Sequence, residues 1–106
     1  MNILLVCSAG MSTSLLVTKM EAAAKAKGVE AKIWAVAGEK AKDNLPNADV
    51  LLLGPQVRYL KGDLEKAAAP YNVPVDIITP IDYGRMNGEA VLDRAIELIN
   101  QSTNKI

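Results

Sequence analysis

The only cysteine of the chain, Cys7, follows the apolar run Ile3-Leu4-Leu5-Val6 and opens the segment Cys7-Ser8-Ala9-Gly10-Met11-Ser12-Thr13-Ser14. Apart from Met11, every residue from Ser8 to Ser14 is small or carries a hydroxyl, and Gly10 is free to adopt positive φ. Such a stretch can turn successive backbone N–H groups inward as an anion-binding nest. A helix starting at its far end points the positive end of its dipole at the same place. Together these features stabilise a thiolate. They equally suit the dianionic thiophosphate formed when a cysteine attacks a phosphoryl donor. The hydroxyls of Ser8, Ser12, Thr13 and Ser14 are candidate donors to phosphate oxygens, with helix capping as the competing role for Ser12 and Thr13. A cysteine within a strand is often packed and inert. One that ends a strand and opens a glycine–serine loop has the setting of a nucleophile.

A cysteine-led phosphate loop is also the signature of the low-molecular-weight tyrosine phosphatases, where it reads Cys-x5-Arg. Here the arginine position is Thr13, the loop holds no arginine, and the nearest basic residue downstream is Lys19. A phosphatase uses that arginine as a bidentate clamp on the transition state. It also needs a general acid and then an activated water. Asp82 is the one carboxylate near the expected edge of the site, and a solvated turn is its plainer role. Without the clamp a phosphocysteine should persist. The chain contains no histidine, which excludes His-based catalytic pairs and His-rich metal sites. One cysteine with scattered carboxylates is poor material for structural zinc, so neither a metal nor a cofactor is expected.

The elements that must position this loop follow from the apolar pattern. Residues 3–6 form a continuous apolar run, as expected of a strand buried on both faces. Residues 13–27 read as a helix with Leu16, Met20, Ala23 and Ala24 on its inner side and Gly28 as its stop. Residues 31–36 alternate as a second strand, and residues 38–44 suit a short helix or turn. Asp49-Val50-Leu51-Leu52-Leu53 is the clearest buried strand, closed by Gly54-Pro55. Residues 56–69 read as a helix weakened by Gly62, and residues 75–78 as a fourth strand. Residues 89–100 form an amphipathic helix with Val91, Leu92, Ala95, Leu98 and Ile99 inward, and residues 102–106 a frayed tail. Strands alternating with helices imply right-handed crossovers and a four-stranded parallel open sheet covered on both faces. The expected fold is therefore a three-layer α/β domain spanning residues 1–106, and the resemblance of its cysteine-led loop implies a fold similar to that of the low-molecular-weight tyrosine phosphatases. In such sheets sites form beyond the carboxyl ends of the strands, where Cys7 stands.

The segment from Leu4 to Val17, with Cys7-Ser8-Ala9-Gly10-Met11-Ser12 at its centre, resembles the start of the lactose/cellobiose-type enzyme IIB components of the phosphoenolpyruvate-dependent sugar phosphotransferase system. The resemblance continues in Asn47-Ala48-Asp49-Val50-Leu51-Leu52-Leu53-Gly54-Pro55-Gln56-Val57 and in Tyr83-Gly84-Arg85-Met86-Asn87-Gly88. It implies that Cys7 receives a phosphoryl group from a phosphohistidine on the IIA component. The cysteine then passes it to a β-linked disaccharide (lactose, cellobiose or chitobiose type) held by the membrane IIC component. It also implies that Ser8 to Ser14 form the phosphate loop. Gln56 and Tyr83 fall on loops that should border the same edge, where a helix start and a core-edge role are their respective alternatives.

Composition narrows the setting. The twelve basic and twelve acidic residues cancel, which argues against nucleic acid or an anionic membrane as the main partner. No apolar run approaches the roughly 20 residues of a membrane helix, and a lone cysteine fits a reducing cytosol. A cytoplasmic monomer that meets its partners briefly is expected, with Glu39, Lys40, Lys42 and Asp43 available to tune docking. Two other classes stay open on the residues alone: a cysteine-dependent phosphatase or arsenate reductase, and a non-catalytic phosphate-binding module.

Overall fold

The computed structural model describes residues 1–7 and 12–103. Its first strand, β1 (Asn2–Cys7), ends on the cysteine itself, and every residue from Ile3 to Cys7 is buried. Alternation along the strand sends Ile3, Leu5 and Cys7 into one core cluster and Leu4 and Val6 into another. Three parallel partners complete the sheet: β2 (Lys32–Ala37), β3 (Val50–Leu53) and β4 (Val75–Ile77), in the order β2-β1-β3-β4. Cys7 lies opposite Ala37 of β2, and Val6 opposite Leu53 of β3. The expected parallel sheet with helices on both faces is thus observed.

One face is covered by two long helices, α1 (Ser12–Lys27) and α5 (Gly88–Thr103). Leu16, Met20 and Ala24 of α1 and Val91, Leu92, Ala95 and Leu98 of α5 are buried there, as their spacing anticipates, while Ala23 and Ile99 are partly buried. Helix α1 stops at Gly28, whose φ of +69° is the left-handed cap conformation, and the Val29 N–H reaches back to the Ala24 carbonyl at 2.9 Å. Helix α5 begins in close contact with α1: a Cβ at Gly88 would stand 2.5 Å from the Lys19 carbonyl carbon. The other face is covered by short pieces, α2 (Ala41–Asn44) and α3 (Lys61–Ala68), flanked by 3-10 turns. Ala41, Leu45, Val57, Leu64 and Ala68 pack there against Leu4, Val6, Leu51 and Leu53.

Three expectations need correction. The helix expected over residues 56–69 is broken into a 3-10 segment, Pro55–Leu60, and α3, because Val57 (φ −116°, ψ 22°) leaves the helical region. A short helix not anticipated from the sequence, α4 (Pro80–Gly84), follows β4. Thr79 caps it by accepting the Asp82 N–H at 3.2 Å, and Pro80 supplies the preset φ of a first helical residue. Helix α5 runs to Thr103 instead of ending at Asn100, and Ser102 Oγ donates to the Asn72 carbonyl at 3.0 Å, so Ser102 is tied down rather than frayed. Of the expected tail, residues 104–106 lie outside the described residues.

Candidate functional site

Chain direction across the sheet reverses at β1: β2 lies on one side and β3 on the other. In open parallel sheets this arrangement opens a crevice at the carboxyl ends of the two strands after which the path reverses. Cys7 is the last residue of β1, only 3% exposed, and its side chain belongs to the face covered by α1 and α5. Beside it, the Gly54 N–H donates to the Val6 carbonyl at 2.8 Å, extending the β1–β3 ladder one residue past β3.

Two residues distant in sequence close on the sulfur. The Tyr83 hydroxyl donates to Cys7 Sγ at 3.7 Å in a buried contact spanning 76 residues. Gly54 supplies room. A Cβ there would stand 2.9 Å from Cys7 Sγ, 2.8 Å from Gln56 Oε1 and 3.5 Å from Tyr83 Cε2. The backbone of Gly54 is ordinary extended chain (φ −63°, ψ 150°), so the glycine answers a need for space and not for unusual dihedrals. Cys7, Gln56 and Tyr83 therefore surround one small volume. Gln56 is itself exposed and Tyr83 buried, which places the glutamine on the open side and the tyrosine on the floor.

The last motif before α5 is explained by the same geometry. The Tyr83 N–H donates to the Thr79 carbonyl at 2.9 Å, and the Tyr83 carbonyl accepts the Met86 N–H at 3.1 Å. Met86 takes a left-handed φ of 51°, Asn87 Oδ1 accepts the Ala90 N–H at 3.2 Å as a helix cap, and Gly88 allows the close approach to α1. Tyr83-Gly84-Arg85-Met86-Asn87-Gly88 is thus a device that fixes the tyrosine ring against Cys7 and launches α5.

Of the expected phosphate loop, Ser8, Ala9, Gly10 and Met11 lie outside the described residues. Ser12, Thr13 and Ser14 form the first residues of α1; Ser14 is exposed, and its carbonyl accepts the Thr18 hydroxyl at 3.0 Å. Asp82 borders a hollow of about 330 Å³ shared with Leu52, Thr79 and Arg94, between β4 and α5. Arg94 pairs there with Asp76 at 2.8 Å. Among the described residues no cluster of His, Cys, Asp and Glu could hold a metal ion, and no helix is long and apolar enough to cross a membrane. Sequence reasoning missed Gly54 as a site residue. Its signal was the position directly after a buried strand, which was read only as a strand stop.

A parallel α/β domain that sets one cysteine at its switch point, with a hydroxyl donor on the sulfur, places that thiol where open α/β sheets bind their ligands. Residues 2–94 match the family model described as "PTS system, Lactose/Cellobiose specific IIB subunit", and the chain belongs to that family. It is 49% identical over 101 residues to the oligo-beta-mannoside-specific EIIB component of Bacillus subtilis (strain 168), covering 94% of this chain and 98% of that one. It is 47% identical over 103 residues to the galactose-specific EIIB component of Lactococcus lactis subsp. cremoris, covering 92% and 95%. The solution structure of the cellobiose-specific IIB component from Borrelia burgdorferi superposes with a TM-score of 0.80 at 49% identity, covering 96% and 94% of the two chains. The protein is accordingly a phosphocarrier component of a sugar phosphotransferase system and works with sugar-specific partners of that system.

Proposed function

We propose that Cys7 is the residue that carries the phosphoryl group. It accepts that group from a phosphohistidine of the IIA component and passes it to a β-linked disaccharide of the cellobiose type held by the membrane IIC component. The observation that carries this reading is the sulfur of the chain's one cysteine, placed at the carboxyl end of β1 with the Tyr83 hydroxyl 3.7 Å away. The attack forms a covalent phosphocysteine and divides one transfer into two easier ones. Residues 8–14 cradle the phosphate through backbone N–H groups and hydroxyls, at the positive end of α1. Gln56 borders the phosphate on its open side. Residues 1–106 act as one domain, as a monomer in the cytoplasm.

The rim of the site suits brief contact with proteins. Leu15 in the first turn of α1, Tyr59 after β3 and Ile81 in α4 are exposed by 50%, 76% and 66%. They lie on the three segments that follow β1, β3 and β4, around the edge where Cys7 ends its strand. Exposed aromatic and aliphatic side chains around a reacting atom fit the small interfaces of transient complexes. The IIA component is the occupant assigned to this rim. The sugar lies with the membrane partner, since the relatives named here carry three different sugar labels at nearly equal identity.

Intact-protein mass spectrometry tests the assignment. The chain and its Cys7→Ser variant are incubated with phosphoenolpyruvate, the general relay proteins and a IIA component. The native chain gains one phosphoryl group and the variant gains none. Equal gain by both would move the carrier role to another residue, and no gain by either, beside a phosphorylated IIA component, would remove it.

A further inference from the structure

We propose that Tyr83 sets how readily Cys7 gives up its phosphoryl group. Resting on the carrier reading above, this assigns the tyrosine hydroxyl as the donor that stabilises negative charge on the sulfur when the sulfur is bare or leaving. Three observations support it. The hydroxyl donates to Sγ at 3.7 Å within the core. Tyr83 is 8% exposed as a residue, so the donor competes with little water. Its backbone is held by the Thr79 carbonyl and by the turn through Met86, which anchors the segment that presents the ring to the sulfur.

The chemistry has two halves. In the first, the sulfur's electron pair forms the S–P bond while the N–P bond of the phosphoimidazole breaks and its pair returns to the ring nitrogen. In the second, a sugar hydroxyl oxygen forms the new O–P bond, its proton passes to a base on the sugar-bearing partner, and the S–P pair returns to sulfur. The sulfur carries most negative charge before the first half and at the end of the second. A sulfur bonded to phosphorus is a much weaker acceptor, whereas hydrogen bonds to charged acceptors are about twice as strong as neutral ones. The tyrosine therefore favours the unphosphorylated chain and assists departure of the sulfur. It keeps phosphocysteine a ready donor instead of a resting store.

Tyr83→Phe keeps the buried ring and deletes the donor. At equilibrium with phosphorylated IIA component, the ratio of phosphorylated to free chain should rise about tenfold, equivalent to about 1.4 kcal/mol, and transfer to sugar should slow by a similar factor. An unchanged ratio overturns the proposal, and so does a fall, which would mean that the hydroxyl serves the phosphate oxygens. Should Tyr83→Phe fail to fold, a fluorotyrosine at position 83 replaces it; this stronger donor of nearly the same shape should lower the ratio. A readout without the relay separates this inference from the carrier reading. Alkylation of Cys7 by iodoacetamide at neutral pH should slow several-fold in Tyr83→Phe, because the net rate follows the charge on sulfur. Equal alkylation rates overturn the tyrosine's role even if phosphate is carried. Absence of phosphate on the native chain overturns the carrier role while the alkylation rates still decide the contact.

Discussion

The two faces of the sheet are built differently. One is covered by α1 and α5, two helices of 16 residues each that meet at Gly88; the other is covered by α2, α3 and short 3-10 turns. The alternation of β1 delivers Cys7 to the long-helix face, along with Ile3 and Leu5, and it is there that Tyr83 meets the sulfur. The short-helix face contributes the segment after β3, with Gly54, Gln56 and the exposed Tyr59. Long helices with continuous apolar stripes hold an atom in place, whereas short irregular segments leave side chains at the surface. The contrast assigns the fixing of the sulfur to the long-helix face, and gives the other face the most exposed of the three rim residues, Tyr59.

The sharpest way to break that division is a pair of cavity variants in neighbouring residues of β1. Leu4 and Leu5 are both fully buried but on opposite faces. Leu4→Ala and Leu5→Ala should each cost about 2–5 kcal/mol in urea unfolding, as buried leucine truncations do. Only Leu5→Ala, which loosens the cluster under Cys7, should also slow alkylation of the cysteine. Equal reactivity in the two variants would show that the faces do not differ as supports for the site.

Gly54→Ala addresses the seam between the faces. Its dihedrals suit any residue, so the cost comes only from the added methyl, 2.9 Å from Cys7 Sγ. Gln56 is exposed and can move aside, but the sulfur is enclosed and must rotate away. Overpacking of this kind costs about 1–3 kcal/mol, and phosphoryl uptake should fall about tenfold or more. Wild-type uptake would mean that the sulfur has a second productive position.

Much of this was legible beforehand, for identifiable reasons. The runs Ile3-Leu4-Leu5-Val6 and Val50-Leu51-Leu52-Leu53 admit few readings other than buried strands, and the stripes of α1 and α5 follow helical spacing. The place of Cys7 at the end of β1 was equally legible, because it follows directly on the first of those runs. Gln56 and Tyr83 were expected at this edge, but the contact of the Tyr83 hydroxyl with the sulfur and the room left by Gly54 were harder to find. Tyr83 lies 76 residues away, and its ring reaches the site through α4, a five-residue helix too short to show a period. The Thr79-Pro80 pair, with Asp82 behind it, was its only signal. Gly54 looked like a strand stop because its requirement, room for an atom of another strand, leaves no trace in local propensity. Helix α5 outran its expected end because Ser102 is tied to the Asn72 carbonyl, a tertiary contact that overrides a polar terminal sequence.

Tyr59 sharpens the comparison from the partner side. It is 76% exposed and lines a groove of about 550 Å³ with Ala37, Val57 and Leu60. Ala37 lies directly opposite Cys7 in the sheet, so the groove adjoins the edge where Cys7 ends β1. Tyr59→Ala should change stability by no more than about 0.5 kcal/mol, as a surface substitution. It should slow phosphoryl uptake from the IIA component several-fold through weaker docking, with alkylation of Cys7 unaltered. A loss of alkylation rate as well would place the tyrosine in support of the site and dissolve the distinction between the faces.

The smallest effect on the site is expected from the far edge of the sheet, where the long-helix face reaches over β4 by charge and not by apolar packing. Arg94 of α5 donates through Nε and Nη2 to Asp76 Oδ2, both at 2.8 Å, and through Nη1 to Glu97 at 2.7 Å. Asp76 also accepts the Ile77 N–H at 2.8 Å, and β4 is an edge strand only partly buried. Charges on an edge strand discourage pairing with other chains. The Arg94 side chain is 45% exposed, so solvent screens the pair and its contribution belongs with surface ion pairs, about 1 kcal/mol or less. Arg94→Ala should therefore lower stability by about that amount in dilute buffer, and the difference from the native chain should shrink as salt is added. A much larger loss that ignores salt would make this pair a structural anchor, and the long-helix face would then depend on a buried polar link as well as on its apolar stripes.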